Sequence, residues 1–153
     1  MAPVHRTGIA GRTSLRLTSM SVALVTVTHD GIGSAIVEAA ESILGTADMA
    51  VRHCSFSAGD DVTRFEARVM ETVRGADDGH GVLILTDLIG ATPCNVARRL
   101  ALTHNVRVLS GISLPMVLRV FTYADSDLAQ LIQRARDGAR LGVIECDPSD
   151  QAT

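Results

Sequence analysis

Two side chains stand where an α/β sheet does its chemistry, and a third segment supplies what that chemistry needs. His29 follows an apolar, β-branched run, Ser21 to Thr28 (SVALVTVT), and Asp87 follows another, Gly81 to Thr86 (GVLILT). If the two runs are neighbouring strands, imidazole and carboxylate emerge side by side. A carboxylate that accepts a hydrogen bond from one ring nitrogen fixes the tautomer and leaves the other nitrogen with a nucleophilic lone pair. Gly90-Ala91-Thr92-Pro93 reads as a loop turning into a helix, with Thr92 as N-cap and Pro93 at the first helical position. Spare amides, the helix dipole and a hydroxyl there favour a phosphoryl group. Gly31 and Gly33 let the backbone of the first loop come close. The expected site is therefore a phosphohistidine, with His29 and Asp87 for transfer and Gly31, Gly90, Ala91 and Thr92 for the phosphate.

Each piece alone has a plainer explanation. A histidine after a strand is more often a polar loop residue, an aspartate there a turn residue, and Thr-Pro an ordinary helix start. It is the joint placement of His29 and Asp87 that points to a site. His5, His53, His80 and His104 read as surface or strand-edge residues.

The elements that must position these groups follow from periodicity. After the first strand, Ala35, Ile36, Ala39, Ala40, Ile43 and Leu44 recur at helical spacing and Gly45 closes the helix. Met49 to Phe56 reads as a second strand. Asp60 opens a helix with the stripe Val62, Phe65, Val69 and Val73, and Gly75 follows it. Asn105 to Leu109 is a fourth strand, then come helices near Leu114 to Thr122 and Ser126 to Arg136, and Leu141 to Glu145 reads as a short last strand. Strands alternating with helices imply a mostly parallel sheet with helices on both faces. Chemistry in such sheets sits beyond the carboxyl ends of the strands, where strand order reverses. An order of 2-1-3-4 sets His29 and Asp87 together at that point.

Composition narrows the class. A chain of 153 residues with 46% apolar and 20% charged residues suits one domain with an aliphatic core. No apolar run approaches the ~18–20 residues of a membrane span. Cys54, Cys94 and Cys146 are odd in number with no CxxC pair, which suggests neither a disulfide framework nor a zinc site and fits a reducing cytoplasm. Residues 1–19 hold three Arg, one His and no acid, whereas residues 21–153 hold 11 Arg against 17 Asp and Glu, a net charge of −6. The acidic part argues against a nucleic-acid partner. Residues 1–19 lack the apolar region of a secretory signal and read as a disordered extension or an over-called start, with the domain over 20–146 and a flexible tail over 147–153.

Three segments carry a resemblance. VTHDGIGSAIVEAA (27–40), GVLILTDLIGATPCNVA (81–97) and SGISLPMVLRV (110–120) resemble, in order and spacing, the signature stretches of the enzyme IIA domain of the mannose family of the bacterial phosphotransferase system. The resemblance implies a cytoplasmic phosphocarrier that accepts phosphate from phospho-HPr on His29, oriented by Asp87, with Thr92 as the hydroxyl before the motif's proline. It also implies a sheet of order 2-1-3-4 whose short antiparallel last strand, here Leu141 to Glu145, is exchanged between the subunits of a homodimer. The acceptor would be a IIB component or a regulatory target. With no IIB, IIC or IID portion in the sequence, the expectation is a stand-alone carrier without cofactor or metal. Asp30, Ala91 and Ser113 depart from the family's more usual Gly, Gly and Asn; Asp30 is expected to point outward or to cap the first helix.

The rivals are weaker. A receiver domain has an Asp after the third strand but needs a Lys after the fifth, and all 14 basic residues are Arg. The phosphocarrier subunit for dihydroxyacetone kinase shares the fold and active His, but its motif lacks the Thr-Pro helix start. A nucleotide binder is disfavoured because no P-loop occurs and DGIGSA is not GxGxxG. A non-catalytic regulatory binding module is the remaining alternative.

Overall fold

The strands form where the chain is apolar and β-branched enough to be covered on both faces, and the helices where apolar residues recur every three or four positions. The computed structural model describes residues 20–149. Its elements are β1 (Ala23–His29), α1 (Ile32–Leu44), β2 (Val51–Phe56), α2 (Val62–Ala76), β3 (Val82–Thr86), α3 (Thr92–Leu100), β4 (Val106–Ser110), α4 (Leu114–Thr122) and α5 (Leu128–Leu141). The sheet has four strands in the order β2-β1-β3-β4, every pair parallel. This is the expected order. The extension expected over 1–19 and the end of the tail expected over 147–153 lie outside the described residues.

Alternation along the buried strands sends side chains to two separate cores. Leu24, Leu83 and Leu85 pack with Val37 of α1, Val117 of α4 and Leu131 of α5. Val25, Val27, Val82 and Ile84 pack with Phe65 of α2 and Val96 of α3 on the other face. The first connection, through α1, covers one face and the next two, through α2 and α3, the other. The reversal therefore falls between β1 and β3.

Gly33 sets how closely α1 lies on the sheet. A Cβ there would sit 2.3 Å from Thr26 Oγ1, and that hydroxyl is already held by His53 Nδ1 at 2.8 Å. Gly33→Ala is expected to destabilise the protein by about 1–2 kcal/mol, because the overpacking outweighs the ~1 kcal/mol that alanine gains in helix propensity. An unchanged or raised midpoint in a thermal melt refutes this.

Several boundaries differ from expectation. The expected last strand is absent: Leu141 is the final residue of α5, Gly142 follows, and among the described residues no strand comes after β4. The stripe Leu128, Leu131, Ile132, Ala135 and Gly138 keeps the chain helical past Arg136. A strand's backbone bonds are made to a neighbour, and in one chain Val143 to Glu145 has none. The sheet is thus wholly parallel, and strand exchange is not seen. Asp61, not Asp60, caps α2, accepting from Arg64 N at 2.9 Å, and Gly75 lies inside that helix, which runs to Ala76. Ala91, not Thr92, is the N-cap of α3, so Thr92 opens the helix and Pro93 comes second. β2 starts at Val51 rather than Met49.

Candidate functional site

β1 ends on His29, and β3 ends one residue before Asp87. Thr26 is level with Leu85, and continuing that register sets Asp87 level with Thr28, one residue from His29. Asp87 Oδ2 lies 2.7 Å from His29 Nδ1 and also accepts the His29 backbone amide at 3.2 Å. Burial pushes the Asp87 carboxyl up, but the bonds from the His29 ring and amide outweigh it and hold the group below the usual carboxylate range. At neutral pH the carboxylate is therefore an acceptor only, and Nδ1 must carry the proton. The lone pair is left on Nε2, at the far side of a ring that is 41% exposed against 12% for Asp87. Asp87 Oδ1 is buried with no protein partner among the described residues, so the two bonds to His29 orient the carboxylate.

The flanking backbone is shaped by glycine. Gly31, directly after the Asp30 that follows β1, is the N-cap of α1 at φ +66°, and Gly90 turns the chain into α3 at φ +83°, a region that other residues enter at a cost. Asn95 N is the first amide of α3 to bond back, to Ala91 O at 3.0 Å, so the amides of Thr92 and Cys94 ahead of it are spare. Pro93 has none to give. Asn95 Nδ2 donates to Gly90 O at 3.0 Å and braces the loop. A nucleophilic ring nitrogen, an oriented second nitrogen and a helix start with spare donors form a place where an anion can be received.

The model of the EIIA-man family, described as PTS system fructose IIA component, matches residues 23–135. The chain belongs to the mannose-type enzyme IIA family of the phosphotransferase system. It is 26% identical over 138 residues to the PTS system mannose-specific EIIAB component of Escherichia coli (strain K12), a match over 87% of this chain and 42% of that protein. The enzyme IIA chain thus spans under half the length of that curated relative. The mannose/sorbose-specific IIA subunit from Enterococcus faecalis superposes with a TM-score of 0.77 at 23% identity, over 87% of this chain and 100% of that one. The PTS IIA protein associated with the fucose utilization operon of Streptococcus pneumoniae gives 0.73 at 24%, over 84% and 96%. At these identities the likeness to the two structures is one of fold.

Of the residues expected in this enzyme IIA site, His29 and Asp87 are in hydrogen-bond contact. Gly31, Gly90, Ala91 and Thr92 form the two flanking turns, and none of them hydrogen-bonds to the imidazole. Asp30 turns outward, as expected, and does not cap α1; it accepts a hydrogen bond from the Ser57 hydroxyl, tying the loop after β1 to the loop after β2. Ser113 caps α4, accepting from Met116 N at 3.3 Å, a role that the family's more usual Asn can also fill. Thr28 was not legible as a site residue: its hydroxyl donates to His29 O at 2.8 Å and accepts from Gly33 N at 3.0 Å, bracing the turn below the nucleophile.

The other described histidines lack this setting. His53, on edge strand β2, is pushed down by burial, against the upward pull of Glu41 and Glu38. His104 Nδ1 meets the neighbouring Thr103 hydroxyl at 2.8 Å. His80 pairs with Asp78 at 2.8 Å, a geometry close to that of His29, but in an exposed turn at the opposite end of the sheet, before β3. Among the described residues no group of three or more His, Cys, Asp or Glu side chains could hold a metal.

Proposed function

We propose that this enzyme IIA domain is a phosphocarrier, taking a phosphoryl group from phospho-HPr onto His29 and passing it to a IIB component or a regulatory target. The observation that carries the reading is the 2.7 Å contact between His29 Nδ1 and Asp87 Oδ2 beside the start of α3. The Nε2 lone pair attacks phosphorus in line. The bond from phosphorus to the donor breaks as the N–P bond forms, and the donor keeps that electron pair. Nδ1 holds its proton on Asp87 throughout. The ring gains positive charge as Nε2 bonds, and the adjacent carboxylate offsets it. The spare amides of α3, the Thr92 hydroxyl and the backbone at Gly31, Gly90 and Ala91 receive the phosphoryl oxygens. Incubation with enzyme I, HPr and phosphoenolpyruvate should give one acid-labile, base-stable phosphoryl group per chain; no label under those conditions sinks the reading.

The same reading places the protein in the cytoplasm. No described helix is long and apolar enough to cross a membrane, and Cys54, Cys94 and Cys146 are free thiols. It also makes the protein a homodimer. Leu141, Val143 and Ile144 are 62%, 87% and 73% exposed at the end of α5, apolar surface that a second copy can cover. Light scattering at micromolar concentration should return twice the 16.2 kDa chain mass; a single chain mass refutes the dimer.

A further inference from the structure

The imidazole of His29 is constrained on two sides, and only one of them is Asp87. Across the β1–β2 ladder His29 is level with Phe56, so the two side chains leave adjacent strands on the same face. Their ring centroids lie 6.4 Å apart at an interplanar angle of 74°, the edge-to-face arrangement that aromatic quadrupoles favour.

Phe56 is itself held. Its ring lies 4.9 Å from that of Phe65 at 58°, and Phe65 is buried in the core beneath α2. The Arg68 guanidinium sits 5.3 Å from the Phe65 centroid, and its Nη2 donates to Ser55 O at 2.7 Å, the carbonyl just before Phe56. The packing thus runs unbroken from α2 to the nucleophile.

One hydrogen bond at Nδ1 fixes a point on the imidazole but lets the ring swing about it. In-line transfer needs Nε2 held in direction as well. We propose that Phe56 is a positioning residue for transfer at His29: its ring, backed by Phe65, blocks that swing and keeps Nδ1 on Asp87. The proposal rests on the phosphocarrier reading, and it makes α2 part of the site through Phe65, which backs the Phe56 ring.

The test combines three measurements on the full chain: single-turnover transfer from phospho-HPr over a range of donor concentrations, ¹⁵N NMR of the His29 ring, and a melting curve. Phe56→Ala should lower the saturating rate about tenfold with the half-saturating donor concentration unchanged. The ¹⁵N shifts should move from a single Nδ1–H tautomer toward a mixture of both. Phe56→Tyr keeps the aromatic wall and should keep rate and tautomer. A folded Phe56→Ala protein with the unaltered rate and tautomer overturns the proposal, and so does a loss confined to half-saturation, which makes Phe56 a donor contact. If Phe56→Ala does not fold, Phe56→Leu decides: an unaltered rate and tautomer overturn the proposal, a slowed rate with mixed tautomers supports it. Should the unaltered protein fail to label, the carrier reading falls, yet the ring's tautomer still reports whether Phe56 positions it.

Discussion

His29→Ala is expected to reduce phosphoryl uptake to background, a loss of at least about 1000-fold, as removal of a nucleophile does. No other described side chain can stand in. His53 lies within β2, and His80 and His104 precede β3 and β4, so none of them stands at the carboxyl ends of the strands beside the start of α3. A carboxylate beside His29, Asp87 or Asp30, would carry the phosphate as an acyl phosphate, which base hydrolyses; a phosphohistidine is labile to acid and stable to base. The truncation should leave the fold intact, since the ring is 41% exposed and its hydrogen bond lies at the rim of the sheet. The experiment is labelling with phosphoenolpyruvate, enzyme I and HPr, followed by acid and base treatment. Comparable labelling of His29→Ala, or a base-labile adduct on the unaltered protein, defeats the assignment.

The fold was legible because its strands announce themselves. SVALVTVT and GVLILT are too apolar for a sheet open to water on one face, so helices had to cover both, and the alternation with helical stripes supplied them. The juxtaposition of His29 and Asp87 was legible for the same reason, since it depends on which strands are neighbours and on nothing finer. What depends on register or on single dihedral angles was not legible. Phe56 is level with His29 only because the parallel ladder aligns them, and no local pattern states a parallel register. Whether Ala91 or Thr92 caps α3 turns on one residue's backbone angles, and Gly75 reads as a helix stop until Ala76 packs against the core. The Asp30 to Ser57 bond joins loops 27 residues apart. The end of the chain misled because Leu141, Val143 and Ile144 have strand-like side chains, but in a single chain they have no neighbouring strand.

Asp87→Asn should slow transfer by roughly 30- to 1000-fold, equivalent to losing ~2–4 kcal/mol of transition-state stabilisation, while the protein stays folded at neutral pH. The substitution keeps the size of the side chain and removes two things. One is charge: as Nε2 bonds to phosphorus the imidazole becomes cationic, and a carboxylate 2.7 Å from Nδ1 stabilises it where an amide does so only weakly. The other is the demand for a donor at Nδ1. Asn can present its NH2 group instead, which pairs with a bare Nδ1 and moves the proton to Nε2, where it blocks attack. The cost to stability has a pH signature. Because the folded Asp87 carboxyl lies below its usual range, its contribution is present above the unfolded value of about 3.9 and is lost as pH falls through the folded value. The stability gap between the unaltered protein and Asp87→Asn should therefore narrow on acidification from pH 7 to about pH 3. Single-turnover transfer at pH 7, with urea melts across that range, provides the measurement. An unaltered transfer rate removes Asp87 from the mechanism, and a variant unfolded at pH 7 assigns the carboxylate to the fold instead.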